Sequence, residues 1–119
     1  MSKQVKIELN NKEYTFPFGL GFLGDCLENL GLNVFEIGKK LDDNPFKWIP
    51  MLMLESHKYN CYLNGVDVEF DFKQLIEMLD NEEGKKKMNN FLIAFINSLN
   101  KDVPKQENVK GSKTTPKKK

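Results

Sequence analysis

Val5-Lys6-Ile7-Glu8-Leu9-Asn10-Asn11-Lys12-Glu13-Tyr14-Thr15-Phe16-Pro17-Phe18 reads as two period-2 segments around an asparagine-rich break. Val5, Ile7 and Leu9 alternate with Lys6 and Glu8, and Tyr14, Phe16 and Phe18 alternate in the same way after Asn10-Asn11-Lys12. Successive strand side chains point to opposite faces, so each arm has one apolar face to bury. The pattern predicts a β-hairpin with one face against a core.

After the hairpin the apolar period becomes helical. Leu20, Leu23, Leu27 and Leu30 recur at spacings of 3, 4 and 3, one helical face, and Gly31 suits a C-terminal stop. Gly21 and Gly24 weaken this helix by about 1 kcal/mol each, unless they allow close packing on the hairpin. Asn33 with Glu36 predicts a capped short helix whose apolar side is Val34, Ile37 and Leu41. Asn44-Pro45 starts a longer helix to about Tyr62, with Phe46, Ile49, Met53 and Tyr59 or Cys61 turned inward. Pro50 lies one turn in, where a kink is expected rather than a break. Val66, Val68 and Phe70 form a short extended segment or a loop. Asp71 with Gln74 is a capping box opening a helix from Phe72 to Leu79, with Leu75, Ile76 and Leu79 as its core side. A last helix runs from about Glu82, or from nearer Lys86 because of Gly84 and Lys85-Lys86-Lys87, to Leu99. Met88, Phe91, Leu92, Phe95, Ile96 and Leu99 give it an apolar stripe. The expected fold class is α+β: an N-terminal hairpin on a bundle of four to five helices, in one domain of residues 1–100.

Beyond residue 100 the apolar pattern stops. Residues 101–119 hold seven Lys against two acids, a net of +5, and residues 1–100 hold eleven Lys against fifteen acids, a net of −4. The first segment has too little apolar surface to offset ordering entropy, which predicts a disordered Lys-rich tail. The chain contains no Arg, the side chain best suited to bidentate phosphate and guanine contacts, so no specific nucleic-acid recognition is expected. The apolar stretches fall short of the roughly 20 residues of a bilayer span. The start leads straight into strand, without a signal-peptide pattern. A cytoplasmic protein is expected.

Motifs for chemistry are weak. Gly19-x-Gly21-x-x-Gly24 has the spacing of a dinucleotide loop, but the strand before it is a hairpin arm and not part of a βαβ unit. Asp67-x-Glu69-x-Asp71 opens like a calcium loop, with Phe72 and Met78 where glycine and glutamate belong. His57 and Cys61 stand at i, i+4, without an Asn or Asp to orient the imidazole, and Ser56 and Lys58 place His57 at a helix surface or boundary. Cys26 and Cys61 are expected as buried free thiols. No catalytic residue, cofactor or metal ligand is expected. Phe46 to Leu54 is apolar on nearly every side, more than one core uses, which makes Phe46, Trp48 and Met51 a candidate partner-binding surface.

The order of elements, from the Leu9-Asn10-Asn11-Lys12-Glu13-Tyr14-Thr15-Phe16 hairpin into Phe18-Gly19-Leu20-Gly21, then Asn44-Pro45-Phe46, the acid-capped helix at Phe72 and a last helix, resembles the tail assembly chaperones of long-tailed phages that infect Gram-positive bacteria. The likeness covers roughly residues 4 to 100 and departs at the extra glycines 21 and 24. It implies a helper in the host cytoplasm, outside the finished virion. Such a helper holds the tape-measure protein soluble and assists polymerisation of the tail-tube protein around it. It leaves room for self-association and for a longer frameshifted product, with which Lys117-Lys118-Lys119 is compatible. A small structural virion protein (tail or head-completion) and a weak nucleic-acid binder using the Lys tail are the alternatives.

Overall fold

In a computed structural model residues 4–102 are described, with side chains to residue 99; the tail expected after residue 100 lies outside these side chains and almost wholly outside the described residues. The elements are β1 (Gln4–Leu9), β2 (Lys12–Pro17), α1 (Leu20–Leu30), α2 (Val34–Asp43), α3 (Pro45–Asn64), α4 (Phe72–Leu79) and α5 (Glu82–Asp102). This is the α+β arrangement expected, one antiparallel hairpin on five helices.

Asn10 and Asn11 both take positive φ, 52° and 66°. Asparagine tolerates that region, and two such residues make the tight turn whose twist matches a hairpin. The register pairs Val5 with Phe16, Ile7 with Tyr14 and Leu9 with Lys12. Ile7, Leu9 and Phe16 are buried.

α3 is the axis of the fold. β2, α1, α2, α4 and α5 all pack against it, so its middle turns are buried all round, from Leu52 to His57. That burial takes up most of the surplus apolar surface read between Phe46 and Leu54. Pro50 lacks the N–H that would bond the Phe46 carbonyl, but the helix runs on through it and Pro50 itself is buried. α1 and α3 both end in Schellman motifs: Gly31 and Gly65 are left-handed, the Leu32 N–H bonds the Leu27 carbonyl at 3.0 Å and the Val66 N–H bonds that of Cys61 at 3.0 Å. Both predicted capping boxes form, Asn33 with Glu36 and Asp71 with Gln74, each bond 2.8–2.9 Å.

Several expectations are corrected. The inward face of α1 is Phe22, Leu23 and Cys26, and Leu20, the first residue of the helix, is 66% exposed, because the chain enters from Phe18 with Phe22 and Leu23 turned to the core. Gly21 permits close packing not on the hairpin but on α3: a Cβ there would overlap the Tyr59 hydroxyl, whereas Gly24 faces open space. Phe46 does not turn inward. Of the two alternatives left open for residues 66–70, the loop is the one formed, with Val66 and Val68 exposed and only Phe70 buried. Of the two starts left open for α5, Glu82 is the one found and Lys86 is not, because Asn81 caps the helix: the Asn81 Oδ1 accepts the Gly84 N–H at 2.8 Å. Gly84 is needed there, since a Cβ would overlap the Leu79 carbonyl at the end of α4.

The core is aromatic. Phe91 meets Phe16 edge-on at 5.6 Å between centroids and Phe18 at 5.4 Å. Phe95 lies 6.0 Å from Phe18 and 6.3 Å from Phe22. The hairpin and α5 thus share one ring cluster, which fixes the inward side of the last helix.

Candidate functional site

The largest change from the sequence reading is at His57. It is 2% exposed, not at a surface, and Ser56 beside it is fully buried. Ser56 Oγ donates to the Pro17 carbonyl at 2.8 Å, which ties α3 to the end of β2. His57 Nε2 accepts the Glu69 N–H at 2.9 Å, which leaves the ring proton on Nδ1. Its ring stacks on Phe70 at 4.1 Å, and Tyr14 closes on it edge-on at 5.7 Å. Lys12 on β2 pairs with the Glu69 carboxylate over this group. The histidine therefore pins the 66–70 loop to α3 and the hairpin.

The Cys61 sulfur lies 3.6 Å from His57 Nε2, the nitrogen already occupied by the Glu69 N–H. Burial pushes the Cys61 thiol up, with Glu69 and Asp67 adding and Lys12 opposing. Burial lowers the His57 pKa, which the Glu69 charge opposes and that of Lys12 reinforces. A nucleophile–base pair needs the reverse: a stabilised thiolate beside an imidazole free to take its proton. Cys26, pushed up to about 12 by burial and then by Glu55 and Asp25, is more inert still. Both cysteines are free and buried. Among the described residues no group of three His, Cys, Asp or Glu side chains is placed to hold a metal ion, the acids at 67–71 included.

The apolar surface is where the fold leaves something unused. Phe46, at the start of α3, is 66% exposed. Trp48 is half-buried, packed on the core with the Lys40 and Lys47 ammonium groups 5.6 and 5.3 Å from its ring centroid. Met51 is half-buried. The three residues thus differ: Phe46 is open, Trp48 packs on the core and Met51 is half-buried.

A second apolar surface went unread in the sequence. α2 and the C-terminal half of α5 frame a groove of about 360 Å³ lined chiefly by Val34, Ile37, Leu41, Leu92, Ile96 and Leu99, with Phe95 in it and Asp42 at its edge. Ile96, expected in the core stripe, is 45% exposed here. The signal for it was present: α5 carries Ile93 and Ile96 as well as Phe91 and Phe95, so its apolar residues cover more than one core-facing stripe. Lys40 links the two surfaces, being on α2 next to Leu41 and over the Trp48 ring.

No helix among the described residues is long and apolar enough to cross a membrane. In comparison with known proteins, no family model, no curated protein and no solved structure matches this chain.

Proposed function

We propose that this protein is a tail assembly chaperone of a long-tailed phage: it binds the tape-measure protein in the host cytoplasm, assists polymerisation of the tail-tube protein, and is left out of the finished virion. The observation that carries the reading is the open α2–α5 groove. A groove with aliphatic walls on two helices receives the apolar face of an amphipathic helix through residues spaced i, i+3, i+4 and i+7. A long helical client with apolar stripes presents such faces and aggregates when they stay uncovered. Phe46 and the exposed edge of Trp48 extend the apolar surface at the start of α3. The order of elements, which resembles that of the phage chaperones, supplies the biological setting.

Co-expression with the tape-measure protein of the same genome tests this. The wild-type chain is expected to keep the client in the soluble fraction. Ile96→Asp, at a half-exposed groove position, is expected to abolish that effect with native circular dichroism. Phe46→Asp is expected to weaken it. A client that stays insoluble with the wild-type chain overturns the reading, as does a client solubilised equally by Ile96→Asp.

A further inference from the structure

A cleft of about 450 Å³ lies between α1 and α3, lined by Gly21, Asp25, Glu28, Tyr59 and Tyr62. Tyr59 and Tyr62 stand one turn apart on α3, ring centroids 6.2 Å apart and planes inclined by 31°. Asp25 and Glu28 stand one turn apart on α1 and face the same space. Gly21 lets the Tyr59 hydroxyl end lie against α1. Tyr62 is 78% exposed, and both carboxylates are exposed. Among the described residues neither carboxylate has an ion pair: the lysines that form them go to Glu69, Asp43, Glu55 and Glu83.

Aromatic faces and unpaired carboxylates attract the same ligand. A cation within about 6 Å of a tyrosine ring is held by the ring quadrupole, and an adjacent carboxylate adds Coulomb attraction. The chain carries such a ligand itself. Residues 103–119 hold six Lys against one Glu, a net of +5, and residues 1–102 hold twelve Lys against sixteen acids, a net of −4. Seventeen residues span up to about 58 Å when extended, more than the 44 Å longest dimension of the fold. Attachment to α5 also supplies the lysines at an effective concentration of order mM.

We propose that the α1–α3 cleft receives a lysine ammonium group from the chain's own segment 103–119, against the Tyr59–Tyr62 pair and between Asp25 and Glu28. The contact is independent of the function proposed above. Amide and tyrosine-ring NMR spectra of the full chain test it, against a full-length variant with all six lysines of 103–119 changed to serine. At low salt the two are expected to differ at Gly21, Asp25, Glu28, Tyr59 and Tyr62. The differences are expected to vanish at about 1 M salt, where the screening length is about 3 Å. They are also expected to vanish when both proteins carry Asp25→Asn and Glu28→Gln. Superimposable cleft resonances at low salt overturn the proposal. So do differences that grow with protein concentration, which would assign the lysine to a second copy.

Discussion

Phe91→Ala is the substitution that most sharply tests the packing. Phe91 is fully buried, and its ring joins α5 to both Phe16 and Phe18 of the hairpin segment. Removing the ring forfeits about 1.5–3 kcal/mol of apolar burial. Lost ring–ring geometry adds about 0.5–1.5 kcal/mol per pair, and the cavity that cannot collapse brings the total to about 3–5 kcal/mol. A domain of this size has about 5–15 kcal/mol in all, so the variant is expected to fold with little margin. The melting temperature should fall on the order of 20 °C. Urea unfolding followed by circular dichroism reads this as a lower midpoint at unchanged slope. Ile93→Ala is the internal control: Ile93 is half-exposed on the same helix, and its loss is expected to cost only about 0.5 kcal/mol. Equal effects of the two substitutions, or a Phe91→Ala cost below about 1 kcal/mol, would mean that α5 is turned about its axis and that the ring cluster is wrong.

Other substitutions probe the same packing. Gly84→Ala is expected to destabilise by about 1–3 kcal/mol, despite a helix-propensity gain of about 1 kcal/mol, because the new methyl overlaps the Leu79 carbonyl; higher stability in thermal melts would refute the α4–α5 approach. His57 is held neutral by burial, so the unfolded chain takes up its proton first on acidification. Its contribution is therefore complete above the ordinary histidine pKa of about 6.5 and is lost as pH falls through the lowered folded value. His57→Gln should flatten that part of the stability–pH curve, and an unchanged slope would contradict the buried geometry. Cys26 and Cys61 should resist thiol reagents in the native state and react only on unfolding; rapid native labelling of Cys26 would show that the inward face of α1 is not packed on the core.

The parts of the fold legible in the sequence are those written by local rules. The alternation of Val5, Ile7 and Leu9, the Asn10-Asn11 turn, and the capping boxes at Asn33 and Asp71 each specify geometry within a few residues. Helix faces were less legible. Leu20 shares a helical stripe with Leu23 and Leu27, yet the way the chain enters from Phe18 leaves Leu20 outside and turns Phe22 and Cys26 in. His57 between Ser56 and Lys58 has the look of a surface residue, because nothing local tells that the 66–70 loop will cover it. The candidate site divides in the same manner. Surplus apolar residues at Phe46 and Trp48 are visible in one helix, whereas the α2–α5 groove exists only where Leu41 and Ile96, 55 positions apart in sequence, line the same space.

The most direct test of the central claim tracks one tagged chain through tail assembly. Mass spectrometry of infected-cell lysate and of purified mature particles measures where it is and what accompanies it. The wild-type chain is expected to co-purify with the tape-measure protein before tails are complete, Ile96→Asp to lose this association, and neither to be found in finished particles. A chain present at fixed stoichiometry in mature particles, with no tape-measure protein bound beforehand, would contradict it and make this a structural component of the virion.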